Sequence, residues 1–226
     1  MLAADLVASQ RKHRGLLRDY LTSYAERQPV RKVTVVGNAP LLPDPARVAE
    51  IESSDLVIRV NSLALDEEGK PPCVGTQCNV LITSRYAPVT PWTFRNYRRR
   101  AYLIPQAGFG VRSSRMHQPY YWPPDLGTLP IPYVPIVADL KNLLDPDLEP
   151  GQLIPTSGTL ACYLAHVLFP GADFLGTGFS FLDGVQQEAW RYQSGGGSPV
   201  PPSHRLDLEG ALLRSWIVDG TMRVHP

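Results

Sequence analysis

Four short segments carry side chains whose types and spacing could do chemistry together. The first is Val35-Val36-Gly37-Asn38-Ala39-Pro40, a β-branched run that closes on a glycine and an amide. In open α/β sheets ligands bind outside the carboxyl ends of the strands, so such a strand end suits a binding crevice. An amide can donate to a phosphate or ribose and accept from a base amine, which fits a nucleotide. The second segment, Asp55-Leu56-Val57-Ile58-Arg59-Val60-Asn61, again ends in asparagine, and Arg59 interrupts its apolar run. The third, Ile154-Pro155-Thr156-Ser157-Gly158-Thr159, sets hydroxyls and a glycine before an apolar helix. Helix-mouth amides and hydroxyls make a cradle for an anion or carboxylate. The fourth is Ser203-His204-Arg205-Leu206-Asp207-Leu208-Glu209. An imidazole at a helix start is held neutral by the dipole, and neutral imidazole can take a proton from a hydroxyl.

Each segment also has a plainer reading. Asn38 could end a simple strand-to-loop turn. Arg59 could pair with Asp55 or Glu52, Thr156 or Ser157 could be only an N-cap, and His204 only a surface residue.

Other signatures fail. There is no G-x-x-x-x-G-K-[ST] loop, and Gly108-Phe109-Gly110 and Gly176-Thr177-Gly178 lack the third glycine of a dinucleotide fingerprint. Pro155-Thr156-Ser157-Gly158-Thr159 is not a nucleophile elbow, since glycine is missing two residues before the serine. No H-E-x-x-H or Asp/His cluster offers a metal site, and Asp145-Pro146-Asp147 reads as a turn in a Pro-rich stretch. Cys73, Cys78 and Cys162 are too few and odd in number for a disulfide framework; reduced thiols are expected, with a local Cys73–Cys78 bridge as the alternative.

The elements that must position these groups follow from pattern. Residues 1–28 read as an amphipathic helix, with a break allowed at Gly15 and an end before Pro29. Strands are expected at 32–37, 55–61, 79–83, 101–105 and 174–178. Helices are expected at 45–51 (capped by Asp44), 92–100, 159–169 (ended by Gly171) and 206–217. Residues 108–150 read as long loops with short helical pieces, and 193–203, rich in Gly and Pro, as a flexible loop that could act as a lid. Strands alternating with helices predict one α/β domain over residues 1–226, Rossmann-like, with a mostly parallel sheet flanked by helices.

Composition bounds the rest. The 226 residues are 43% apolar and 19% charged, enough to bury a core and too apolar for disorder. Lys and Arg total 22 against 21 acidic residues, a net charge of +1 that gives no field favouring nucleic acid. The 23 prolines require much loop or extended chain. No run is long enough to span a membrane, and residues 1–18 lack the apolar stretch of a secretory signal, so a cytoplasmic protein is expected.

In order and wording the segments resemble sialyltransferases, both the animal-type family and the bacterial family that decorates lipooligosaccharide. Residues 35–38 with 51–61 resemble the large sialyl motif, 155–159 through Gly176-Thr177-Gly178-Phe179 the small one, and His204 with Glu209 the short H-x4-E motif. The resemblance implies a variant nucleotide-sugar glycosyltransferase fold, a cytidine monophosphate (CMP)-linked sialic acid donor, no metal or other cofactor, and a glycan or glycolipid acceptor. It implies that Gly37, Asn38 and Asn61 line the CMP. Thr156, Ser157 and Gly158 would meet donor phosphate, ribose or carboxylate, and Gly178 would allow close backbone approach. His204 would be the general base and Glu209 structural.

The chain departs from the family in two places. Phe181, Leu182 and Asp183 stand where the bacterial family has tyrosines; the animal family has a His or Tyr in a short motif before the last one, and Arg191-Tyr192-Gln193 is the candidate for it, so the resemblance implies Tyr192 as the second catalytic residue. Val33 stands where the animal family has the first cysteine of a disulfide. The donor sugar could therefore be other than sialic acid.

The cluster Arg95, Arg98, Arg99, Arg100 reads as a solvated helix face, or as a peripheral contact with an anionic membrane. Trp122, Tyr120 and Tyr121 read as packing residues or an acceptor-stacking surface. Competing functions are a pyrophosphokinase-like nucleotide enzyme, which would need Mg²⁺, and a non-catalytic nucleotide- or glycan-binding module.

Overall fold

The computed structural model describes residues 2–105, 119–147, 153–182, 184 and 186–225. Helix α1 (Leu2–Thr22) leads into strand β1 (Lys32–Val36), helix α2 (Pro45–Glu52), and strands β2 (Leu56–Val60), β3 (Val80–Ile82), β4 (Ala101–Pro105) and β5 (Leu129–Ile131). Helices α3 (Ala138–Leu144) and α4 (Ser157–Leu168), strand β6 (Asp173–Thr177), strands β7 (Ala189–Arg191) and β8 (Gly197–Pro199), helix α5 (Leu206–Val218) and strand β9 (Arg223–Val224) complete the order.

Seven strands form one parallel sheet in the order β5-β4-β3-β2-β1-β6-β9. The chain builds outward from β1 to β5, then returns through α4 to place β6 on the other side of β1. The order therefore reverses between β1 and β6, where a crevice opens at the carboxyl ends. Val33 and Val35 face α1 and α4 with Leu17, Leu21 and Leu164, while Val36 and Val57 face Ile51 of α2. Burial on both faces explains why these strands are continuous apolar runs rather than alternating ones. Among the described residues no helix is long and apolar enough to cross a membrane.

Several expectations are corrected. Helix α1 runs unbroken through Gly15, because burying Leu17 and Leu21 outweighs the ~1 kcal/mol that one glycine costs a helix. It ends at Thr22, where Ser23 Oγ donates to Tyr20 O and Gln28 Nε2 to Thr22 O. Residues 92–100 form turns and one 3₁₀ turn, Tyr97–Arg99, since Asn96 takes a left-handed φ of 56° that no α-helix continues. Residues 193–203 are not all loop: Gly195 and Gly196, at φ 89° and 74°, turn the chain so that β8 pairs antiparallel with β7. Asp44 caps α2 through Ala46 N and Arg47 N, and Asp145 accepts from Asp147 N in the expected turn. The three cysteines are free. Residues 108–110 and Asp183 lie outside the described residues.

Candidate functional site

The crevice between β1 and β6 opens into a cavity of about 290 Å³. Gly37, Asn38, Asn61, Thr156, Ser157, Gly158, Gly178, Tyr192 and His204 all line it, so residues far apart in sequence meet at one sheet edge.

Its floor depends on two glycines. Gly37 N–H donates to Thr177 O at 2.8 Å and Ala39 N–H to Gly178 O at 3.1 Å, zipping the loops after β1 and β6 together. A Cβ on Gly37 would stand 2.2 Å from Gly178 O, so no larger residue fits there. Gly178 itself needs a φ of 75°, open to glycine at no cost.

The two asparagines differ. Asn38 Nδ2 donates to Val60 O at 2.8 Å and thereby ties the end of β1 to the end of β2. Asn61 sits at φ 44°, a left-handed conformation that asparagine tolerates. Its Oδ1 accepts from Ser84 N at 3.1 Å and from Ser157 Oγ at 3.3 Å, joining β2 to the mouth of α4. Its Nδ2 has no protein acceptor among the described residues.

At the mouth of α4 the hydroxyls divide their work. Thr156 Oγ1 accepts from Thr159 N as N-cap and donates to Glu209 Oε2 at 2.6 Å; Thr156 N donates to the same oxygen at 3.0 Å. Thr159 Oγ1 also donates to it. Thr156 is thus the cap of the plainer reading, with both its donors spent on Glu209. Ser157 and Gly158 supply the first-turn amides, which in any helix lack intrahelical acceptors. Glu209 is fully buried, and burial raises the pKa of its carboxyl against the opposing pull of the threonine hydroxyls. It bolts α4 to α5, and with α5 the imidazole just before it.

His204 Nδ1 lies 2.5 Å from Ile154 O, and Ile154 N donates to Ser203 O at 3.0 Å. A backbone carbonyl can only accept, so Nδ1 carries a hydrogen, and in the neutral imidazole the lone pair is on Nε2. The Trp190 ring packs edge-on to His204, with centroids 6.4 Å apart. Tyr192 Oη lies 2.6 Å from Ser198 Oγ across the β7–β8 hairpin. Among the described residues no Asp or Glu lines the cavity, and Arg191 and His204 are its only basic side chains.

Sequence reasoning missed how the hairpin is held. Gln193 N donates to Asn38 O and Gln193 Oε1 accepts from Leu41 N, both at 2.7 Å; Ser194 Oγ donates to Ser62 O at 2.9 Å. Neither residue has a distinctive type, and only their place beside a Gly-Gly turn could have marked them. It also missed Tyr133, which lines the cavity and whose hydroxyl accepts from the buried Lys141 Nζ at 3.3 Å. Phe181 lines the cavity without a hydroxyl.

Two further readings are corrected. Among the described residues Arg59 pairs with no carboxylate. It is fully buried and donates to Gln77 O at 2.8 Å, Ala64 O at 3.2 Å and Val74 O at 2.5 Å, clamping the loop before β3; burial pushes its pKa down to about 10. Asp55 instead takes Arg27 and the amides of Arg31 and Lys32. In the arginine cluster, Arg100 is buried and donates to Trp92 O, and Arg98 pairs with Asp125 at 2.8 Å. Only Arg95 and Arg99 of the four remain exposed without such partners. Trp122 is core, while Tyr120 and Tyr121 are exposed.

A switch-point crevice closed by glycines and a helix mouth defines the class: an open parallel α/β fold with a cavity at the carboxyl ends of its strands. No protein-family model and no curated protein matches the sequence. Several solved structures match the fold, two of them mammalian sialyltransferases. One is a mammalian sialyltransferase in complex with Gal-β-1,3-GalNAc-ortho-nitrophenol, with a TM-score of 0.56 at 15% identity over 87% of this chain and 69% of that one. The other is a mammalian sialyltransferase with a TM-score of 0.54 at 14% identity and the same coverage. The fold is sialyltransferase-like.

Proposed function

We propose that the protein is a metal-independent, inverting glycosyltransferase that moves sialic acid or a related sugar from a CMP-linked donor to a hydroxyl of a glycan or glycolipid. The observation that carries this reading is the His204–Ile154 bond. It presents an imidazole with a free Nε2 lone pair at the rim of a crevice suited to a nucleotide.

In this reading CMP lies over Gly37 and Gly178, with Asn61 Nδ2 and the Ser157 and Gly158 amides as its donors. The acceptor hydroxyl gives its proton to Nε2 as its oxygen bonds to the anomeric carbon. The bond from that carbon to the phosphate oxygen breaks on the opposite face, and its electron pair leaves with CMP. Negative charge grows on the phosphate, where Tyr192, Ser157 and the helix mouth are preorganised donors. These neutral donors are what the proposal puts in place of a divalent cation, so transfer should persist in excess EDTA. The hairpin wall would exclude water, which otherwise competes for the donor.

His204→Ala should lower transfer by about 10²–10⁴-fold, the size of a general-base contribution, and leave CMP affinity unchanged. Unchanged turnover would end the assignment.

A further inference from the structure

His204 also borders a groove of about 470 Å³, walled by Glu188, Val200, Pro202, Arg205 and Asp207. A separate pocket, of about 180 Å³, shares no lining residue with that groove or with the crevice. Leu65, Asp66, Thr76, Arg95, Asn96 and Arg100 line it. Arg100 immediately precedes β4 and so lies at the amino-terminal edge of the sheet, whereas the crevice opens at the carboxyl ends. We propose that this pocket is a second anion site and that its ligand is a phosphomonoester dianion.

Three observations carry it. The first is an unpaired buried charge. Arg100 is only 6% exposed, and among the described residues it bonds a carbonyl, Trp92 O at 2.8 Å through Nη1, and pairs with no carboxylate. The Tyr102 hydroxyl beside it gives its own proton to Thr93 O. A buried cation without a counter-ion is costly, and a bound anion removes that cost. Asp66 does not supply the missing charge, since its two oxygens are held by the amides of Cys73, Val74 and Gly75. The second is a set of uncommitted donors. Arg95 and Asn96 line the pocket, and neither side chain has a hydrogen bond or ion pair among the described residues. Asn96 is also held at φ 56°, a costly conformation of the kind that clusters at ligand sites. Two guanidinium forks and an amide match the oxygens of a phosphate head. The third is shape. A cavity needs about 10–15 Å³ to hold one water, so this one takes far more than a lone halide. Asp66, Thr76 and Arg95 also line a groove of about 600 Å³, which gives the organic part of the ligand a way out. Glu52, Glu67 and Glu68 line that groove and turn away a further anionic group, so the head is the end of a monoester and not a link in a polyanion.

The test is a titration with glycerol 3-phosphate followed through backbone amide resonances, with sodium chloride holding the ionic strength constant. The amides of Leu65, Thr76 and Asn96 should shift saturably, and glycerol at the same concentrations should leave them in place. Acetate, a monoanion, should bind about tenfold more weakly. Arg95→Gln, at an exposed position, should weaken glycerol 3-phosphate about tenfold and leave the melting temperature of the unliganded protein unchanged. No saturable shift at these amides, equal affinity for acetate, or unchanged affinity in Arg95→Gln would overturn the site. Shifts confined to Asn61, Ser157 and Gly158 would overturn it too, because they would put the phosphate in the crevice.

Discussion

The two cavities that meet at His204 are built on opposite plans. The inner one is made of strand ends, a helix mouth and backbone amides, and no carboxylate of the described residues lines it. The outer one is made of loop and first-turn side chains, with two carboxylates and one guanidinium. The inner plan depends on backbone position, which the sheet fixes; the outer depends on side-chain type, which loops can vary. The two cavities thus differ in what sets them: the fold fixes the inner one, and the loops set the outer one.

The comparison can be broken most severely at Gly37. Gly37→Ala would drive a methyl into Gly178 O, and should cost roughly 3 kcal/mol of stability and abolish CMP binding. Gly127→Ala, whose Cβ would meet nothing within 4 Å, should do neither; denaturant melts and calorimetry check both.

Glu209 sharpens the comparison, because it ties the mouth of α4, which lines the inner cavity, to α5. Its folded carboxyl binds a proton more tightly than its unfolded one. As pH rises above the ordinary glutamate range, the unfolded chain loses its proton first, so stability falls with pH until the folded group also ionises. Glu209→Gln should flatten that fall, seen as a smaller difference between melts at mild acid and neutral pH. A native protein that gains stability over this interval through Glu209 would contradict the assignment.

The smallest effect belongs to Gln193. Gln193→Ala removes the acceptor for Leu41 N and should cost about 1 kcal/mol, with a loosened hairpin and a reduced kcat; Gln193→Glu keeps the acceptor oxygen and should restore kcat. Equal loss in both variants would show that the amide does not position the wall.

Much of the inner cavity was legible because its parts are of the kind that pattern reveals. Parallel strands buried on both faces are apolar runs, and Gly37, Asn38 and Asn61 punctuate their ends. The periodic apolar face of α4 and its Thr-Ser-Gly start were equally plain. Strand β5 was hidden by Pro130, which an edge strand tolerates, and β9 by being only two residues long. The β7–β8 hairpin was hidden because its glycines signal flexibility and a tight turn alike. Arg59 misled for another reason: its side chain is fully used on carbonyls, and sequence shows a side chain's capacity but not its partner.

The central claim is that the inner cavity recognises cytidylate. A thermal-shift comparison of CMP, UMP, GMP and AMP at equal concentration measures it directly, because a ligand of the folded state raises the melting temperature according to its affinity. The account predicts a rise with CMP well above the other three, retained in His204→Ala. An equal response to all four nucleotides, or none to CMP, would contradict it.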